Sequence, residues 1–252
     1  MVGGKVLQEL EINKTYHMDC LDGMKLIKDK SIDMILCDLP YGTTKCKWDI
    51  IIPFKPLWEQ YERIIKDNGA IILFGSQPFT SLLINSNIKL FKYEIIWDKV
   101  KPSSGLLAKK QPLKSHENIC IFYKKQPTYN PQMEIGTQWH RGGNKRKSAF
   151  TGETDIYDNA KSDETNLKYP KSIKIISNAD NTKRLHPTQK PVELVEWLIK
   201  TYSNDGDLIL DNCMGSGTTA IACMNTNRNY IGFEKEKEYI EMIENRIAEY
   251  NG

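Results

Sequence analysis

Cysteine pairs at C-x-x-C spacing are missing from this chain; its six cysteines, Cys20, Cys37, Cys46, Cys120, Cys213 and Cys223, stand apart from one another. Paired-cysteine zinc motifs are thereby excluded, and reduced thiols with packing roles and no bound metal are expected. Long apolar runs are missing as well: the longest, such as Ala70 to Phe74, have strand length, and charge interrupts Met1 to Lys14. Neither a membrane span nor a signal peptide is expected, which points to a cytoplasmic protein with no membrane partner. No internal repeat is visible.

What is present suffices for a large core. A chain of 252 residues fits one α/β domain carrying an insertion. The net charge of +3 is small but unevenly spread. From Lys99 to Lys125 the chain carries Lys99, Lys101, Lys109, Lys110, Lys114, Lys124 and Lys125 against Glu117, and Arg141, Lys145, Arg146 and Lys147 form a second cluster. The tail from Glu234 is acidic by contrast. A basic middle suits a polyanion-binding face, with solvated lysines as the bland alternative.

Seven short runs read as strands: Thr15 to Met18, Ile32 to Cys37, Ala70 to Phe74, Glu94 to Trp97, Ile119 to Tyr123, Asp207 to Leu210 and Tyr230 to Phe233. Most are continuous apolar stretches, the mark of strands covered on both faces. Pro56 to Lys66 and Pro191 to Tyr202 carry helical stripes that would cover a sheet. Only Glu94 to Trp97 and Ile119 to Tyr123 are joined without a helical stripe, so that pair is a candidate antiparallel hairpin. Between Lys124 and Arg184 the pattern breaks into polar and turn residues, and a connection this long reads as an inserted recognition lobe.

Two motifs carry chemistry. Near the back, Leu208-Ile209-Leu210 feeds Asp211, a turn with Gly215 and Gly217, and then Thr218-Thr219-Ala220 opening a helix. The next strand ends in Glu234 about twenty residues beyond the turn, the spacing at which an acidic side chain reaches ribose hydroxyls. The turn lacks the lysine of a phosphate loop, and Asp211 at its mouth would repel pyrophosphate but hold an ammonium group. S-adenosylmethionine fits those charges better than NAD or ATP.

Near the front, Asp38-Leu39-Pro40-Tyr41 follows a buried strand. Asp38 can accept one N–H of a planar amine, a backbone carbonyl of Leu39 or Pro40 the other, and Tyr41 can stack on the ring. Two acceptors localise the lone pair of an exocyclic amino group, which is otherwise delocalised and a poor nucleophile. Holding it in a near-attack geometry is worth about 7 to 11 kcal/mol.

With both motifs in this order, the chain resembles the amino-methylating DNA methyltransferases of the permuted group, in which the catalytic tetrapeptide precedes the cofactor turn. The resemblance extends to Asp19, to the stretches Ala70 to Pro78 and Ser115 to Tyr123, and to His186-Pro187-Thr188-Gln189-Lys190-Pro191. It implies an α/β fold with a Rossmann-like, seven-stranded, mostly parallel sheet, an antiparallel terminal hairpin, helices on both faces and one inserted recognition lobe. Residues 1–123 would be the catalytic part, 124–185 the target-recognition insertion and 186–252 the cofactor-binding part. Asp38, Leu39, Pro40 and Tyr41 would hold the target amine. Asp19, Asp38, Lys190, Asp211, Gly215, Gly217, Thr218 and Glu234 would surround S-adenosylmethionine, with Asp19 near the adenine amino group and Glu234 on the ribose. Arg141, Lys145, Arg146 and Lys147 would contact double-stranded DNA. Leu39 stands where the family's tetrapeptide usually has proline, but its carbonyl survives the change.

Asp at the first tetrapeptide position leans toward adenine N6 methylation over cytosine N4. A protein glutamine or RNA methyltransferase is disfavoured by the motif order, and a catalytically silent DNA-binding partner by the intact acidic residues. The resemblance leaves room for a homodimer and for a cognate restriction endonuclease.

Overall fold

The continuous apolar runs become strands packed on both sides, because neither face of such a run tolerates water. The computed structural model describes residues 10–44, 46, 49–103, 105–136, 146–147, 154–155, 166–178 and 189–251. The chain divides into two units, Met1–Asn130 with Ser172–Gly252, and Pro131–Lys171. The larger unit begins with β1 (Lys14–His17), α1 (Cys20–Lys25), β2 (Ile32–Cys37), α2 (Phe54–Ile64), β3 (Ile65–Gly75), α3 (Phe79–Ser86), β4 (Phe91–Ser103) and β5 (Lys114–Phe122). The smaller unit holds β6 (Glu134–Ile135), β7 (Arg146–Lys147), β8 (Thr154–Asp155) and β9 (Leu167–Lys168). The chain then resumes the larger unit through β10 (Ile173–Ile175), α4 (Val192–Tyr202), β11 (Leu208–Asp211), α5 (Thr218–Asn225), β12 (Asn229–Glu234) and α6 (Lys237–Asn251).

The main sheet runs β1-β12-β11-β2-β3-β5-β4-β10. Strands β1, β12, β11, β2 and β3 are mutually parallel, and β5 is antiparallel to both β3 and β4. The expected hairpin is therefore present, with Ile95 opposite Ile119. An eighth strand extends the expected seven: β10 pairs in parallel with the outer edge of β4, Ile173 beside Ile96. It lies inside the stretch 124–185 that the sequence assigns to the insertion, and it belongs to the larger unit. Lys124–Asn130 and Ser172–Asn178 likewise belong to that unit, so the separate lobe is shorter than expected. Within that lobe β6 pairs with β9 and β7 with β8, both antiparallel.

Alternate residues of β2 serve opposite faces. Met34 and Leu36 pack with Leu194 and Leu198 of α4 and with Ala220 of α5. Ile35 and Cys37 pack with Met24 of α1, Leu57 and Tyr61 of α2, and Phe79 of α3. Tyr61 and Leu198 are completely buried, and each of the aliphatic side chains stabilises the sheet by about 1.5 to 3 kcal/mol relative to exposure. From β2 the chain steps to β3 on one side, and from β11 to β12 on the other. The winding direction thus reverses between β2 and β11, where an open α/β sheet leaves a crevice at its carboxyl edge.

Candidate active site

The two motif loops open from that crevice. β11 lies parallel to β2, with Ile209 beside Met34 and Leu210 beside Ile35. Neighbouring strands run about 4.8 Å apart, so Asp38 and Asp211 leave the same sheet edge on adjacent strands. A cavity of about 580 Å³ separates the loops, within the range of small-molecule sites. Asp19, Asp38, Leu39, Pro40, Tyr41, Lys190, Asp211, Gly215, Thr218 and Glu234 line it. Gly217 stands just behind the wall as the N-cap of α5.

On the cofactor side the carboxylates hold the turns that hold them. Asp211 Oδ2 accepts from Thr219 Oγ1 at 2.6 Å, and Oδ1 accepts from the Cys213 backbone N–H at 3.0 Å. Burial pushes the Asp211 carboxyl up to about 6, against the pull of those two donors. Gly215 and Gly217 have φ of +51° and +76°, a region that L side chains rarely adopt. A Cβ on Gly217 would lie 2.9 Å from Ile243, whereas Gly215 faces open space. Glu234 Oε2 accepts from Gly215 N–H at 2.7 Å, and Oε1 accepts from the N–H groups of Lys235 and Glu236. Burial raises the Glu234 carboxyl despite those three donors. Asp19 caps α1, accepting from Leu21 N–H at 2.9 Å. Thr218 Oγ1 lies 3.4 Å from Ser216 Oγ, beside Arg246.

These residues fit S-adenosylmethionine. On the cofactor side Asp19, Asp211 and Glu234 border the cavity and the glycine turn carries no lysine, a donor set that suits an ammonium, a sulfonium and ribose hydroxyls better than a pyrophosphate. Both Asp211 oxygens already serve the turn, so a ligand ammonium would meet their remaining lone pairs. The three thiols beside them, Cys20, Cys37 and Cys213, are free. Burial pushes the Cys37 thiol up to about 12, which keeps it protonated and unreactive.

On the amine side Tyr41 Oη donates to Asp38 Oδ1 at 2.7 Å. The Tyr41 ring stacks on Phe79, centroids 5.0 Å apart. Part of the aromatic surface expected to receive a base is thus packed on Phe79. Leu39 is 3 % exposed and joins the apolar cluster under α2, which explains how an aliphatic side chain stands in for proline here. The loop beyond is fastened by Asp49, whose carboxylate accepts from the N–H groups of Gly42, Thr43 and Thr44 at 2.8, 2.9 and 2.6 Å. Burial alone would raise Asp49, but these hydrogen bonds outweigh it and hold the carboxyl below its ordinary range.

Lys190 differs from expectation in its partners. It lines the common cavity, but its Nζ donates to Asp38 Oδ2 and lies 3.4 Å from Glu117 Oε2. Burial pulls the ammonium down, yet the two carboxylates outweigh it and raise the lysine above its ordinary range. Asp38 is raised, by burial first, with Lys190 opposing. Glu117 is pushed up by burial and brought below its ordinary range by Lys190 and Lys99. Lys99 Nζ reaches Glu117 Oε1 at 3.2 Å and is almost wholly buried, so this lysine is no part of a solvated basic face.

Sequence reasoning assigned no role to Glu117 or Asp49, and counted Lys99 in the basic polyanion-binding stretch, from which its burial against Glu117 removes it. Asp49 carried a signal, an Asp shortly after a Gly-Thr-Thr turn, where a short carboxylate satisfies loop N–H groups. Arg141, Lys145 and His186 to Thr188 lie outside the described residues, and of Arg146 and Lys147 only the backbone is described, in β7.

Comparison with known proteins bears on this geometry. The N6_N4_Mtase family model, described as DNA methylase, matches residues 32–245. The Type II methyltransferase M1.MboII of Moraxella bovis is 28% identical, over 92% of this chain and 95% of its own length. The DNA adenine methyltransferase YhdJ of Escherichia coli (strain K12) is 29% identical, over 92% of this chain and 81% of its own. Among solved structures, the M1.HpyAVI–SAM complex superposes with a TM-score of 0.64 at 26% identity, covering 93% of this chain and 98% of that one. With the tetrapeptide and the glycine turn on adjacent strands and the family match spanning both, the chain belongs to the N6/N4 DNA methylase family, whose members transfer a methyl group from S-adenosylmethionine to DNA.

Proposed function

We propose that this protein methylates the N6 amino group of adenine in double-stranded DNA. The observation that carries the reading is the opening of the Asp38 turn and the Gly215 turn from adjacent parallel strands into one cavity. Only that adjacency lets one methyl group pass between a donor on the β11 side and an amine on the β2 side. The adenine preference draws on Asp38 at the head of the tetrapeptide and on the activity named for YhdJ.

S-adenosylmethionine supplies an electrophilic methyl group on a sulfonium. Asp211 and the Gly215 turn would hold its amino acid end, Glu234 its ribose and Asp19 the neighbourhood of its adenine. Asp38 and a carbonyl of the Leu39-Pro40 segment would accept the two N–H bonds of the target amine, drawing its nitrogen toward tetrahedral geometry. Tyr41, tied to Asp38 through its hydroxyl and to Phe79 through its ring, fixes the carboxylate's orientation. Exposing the amine requires swinging the base from the duplex at a cost of a few kcal/mol. Phosphate contacts offset that cost, and we assign Arg141, Lys145, Arg146 and Lys147 to them. The 131–171 unit, between β5 and β10, is the segment we assign to target recognition. A second copy of the chain and a cognate endonuclease are partners compatible with this reading.

The test is direct. Purified protein is incubated with radiolabelled S-adenosylmethionine and unmethylated genomic DNA, and the DNA is digested to nucleosides and separated. Label in N6-methyl-2′-deoxyadenosine is expected. Label in N4-methyl-2′-deoxycytidine would overturn the adenine assignment, and cofactor binding with no labelled DNA would favour a silent partner.

A further inference from the structure

An ammonium stands where the target amine must go. Asp38 has two oxygens: Oδ1 accepts from Tyr41, and Oδ2 accepts from Lys190 Nζ. The Lys190 side chain is only 9 % exposed and its Nζ sits 5.0 Å from the centre of the Phe74 ring, so it is largely desolvated. A base that claims Oδ2 therefore leaves a displaced ammonium inside the protein, where an unpaired charge is strongly unfavourable.

A second carboxylate stands ready to receive it. Glu117 Oε2 is buried and accepts no hydrogen bond among the described residues, while Lys190 Nζ lies 3.4 Å away. A movement of about 0.6 Å brings that nitrogen to charge-assisted hydrogen-bond distance. Glu117 does not need to move to meet it, because Lys99 Nζ anchors the other oxygen at 3.2 Å and itself leans on Ser103 Oγ. Buried polar atoms are almost always hydrogen-bonded. A buried oxygen without a hydrogen bond, 3.4 Å from an ammonium that still has N–H groups to give, therefore marks a second position for that cation.

We propose that Glu117 is a positioning residue that takes over the Lys190 ammonium when the target amino group claims Asp38 Oδ2. The proposal rests on the amino-methylation reading and deepens it: one ammonium, exchanged between two carboxylates, sets how readily the amine-bearing base is held. Both states keep the ammonium paired, so the exchange needs no charge to cross into water.

The test is a pair of duplexes carrying the methylated site mapped by modified-base sequencing, one intact and one with the target base replaced by an abasic residue. Each is titrated by fluorescence anisotropy without methyl donor, so the readout is independent of turnover. Glu117→Gln should weaken the intact duplex about ten- to a hundredfold, the worth of one charge-assisted hydrogen bond, and leave the abasic duplex unchanged. Glu117→Asp should recover part of the loss. In a Lys190→Met background, where no ammonium needs a new partner, Glu117→Gln should leave the intact-to-abasic ratio unaltered. Equal weakening of both duplexes, an unchanged ratio in Glu117→Gln, or the same loss with and without Lys190 overturns the proposal. Failure of the wild-type protein to label any DNA would sink the methylation reading instead, which keeps the two failures distinct.

Discussion

Asp38→Asn isolates the charge of the acceptor from its shape. The amide keeps an oxygen for the Tyr41 hydroxyl, so the stacked Tyr41–Phe79 pair and the loop behind it should persist. The carboxylate is lost, and with it the acceptor that draws the target nitrogen out of conjugation. A hydrogen bond to a charged group is worth about 1.5 to 3 kcal/mol, which alone lowers the rate about ten- to a hundredfold. Misdirection of the base adds to this, because small misplacements forfeit part of the near-attack advantage, and a total loss of about 10² to 10³ in the methyl-transfer step is expected. Single-turnover transfer from radiolabelled donor to DNA measures that step apart from product release. Donor binding should stay within about threefold of wild type by equilibrium dialysis, since Asp211, Gly215 and Glu234 are organised by contacts that bypass Asp38. A single-turnover rate near that of the wild type would show that the amine is held by something else.

Glu234→Ala removes the acceptor of three backbone N–H groups, Gly215 included, and should raise the donor dissociation constant more than it lowers the maximal rate; an unchanged titration would take Glu234 off the ribose. Asp211, raised from 3.8 to about 6, holds its proton more tightly folded than unfolded, so its ionisation costs stability that is lost as pH rises from about 4 to 6, roughly 3 kcal/mol in all. Asp211→Asn should flatten that window in denaturant titrations, and in the wild type donor affinity should rise with pH through about 6 as the carboxylate forms; a pH-independent affinity would separate Asp211 from the ligand ammonium. Neutralising Arg141, Lys145, Arg146 and Lys147 together should weaken DNA binding at low salt and flatten its salt slope by about one for each phosphate no longer neutralised. An unaltered slope would make the cluster a solvated face.

Elements whose pattern is local were legible in the sequence. Ile32–Cys37 was located to the residue because five of its six side chains are apolar and buried on two faces, and the glycine turn because a parallel strand, two glycines and a helix start are contiguous. Lengths were less legible: β3 runs from Ile65 to Gly75 because the chain passes from α2 straight into the strand, and nothing in Lys66-Asp67-Asn68 is apolar. β10 escaped because three residues with Ile173 and Ile175 exposed carry no burial signal, and only the free edge of β4 makes them a strand. The Lys190–Asp38–Glu117 arrangement escaped for a stronger reason. Its members come from the start, middle and end of the chain, and each is an ordinary polar residue until the sheet brings the three together.

The same reasoning explains why motif order does not matter to the chemistry. The site is defined by which strands are neighbours, and β2 and β11 are neighbours although most of the chain lies between them. That long connection includes β3, β4, β5 and β10, all added on one side of β2, so there the sheet grows away from β11. The short α5–β12 connection grows the sheet the other way. Reversal of winding then falls between the two motif strands whichever of them is made first, and the crevice forms there. What the order does affect is the provenance of the ammonium: Lys190 arrives just before α4, on the segment that leads into β11, so the cofactor half of the chain supplies the cation that guards the acceptor of the amine half. The carboxylate of the amine half and the lysine of the cofactor half are thus made far apart and neutralise each other only after β11 has docked against β2.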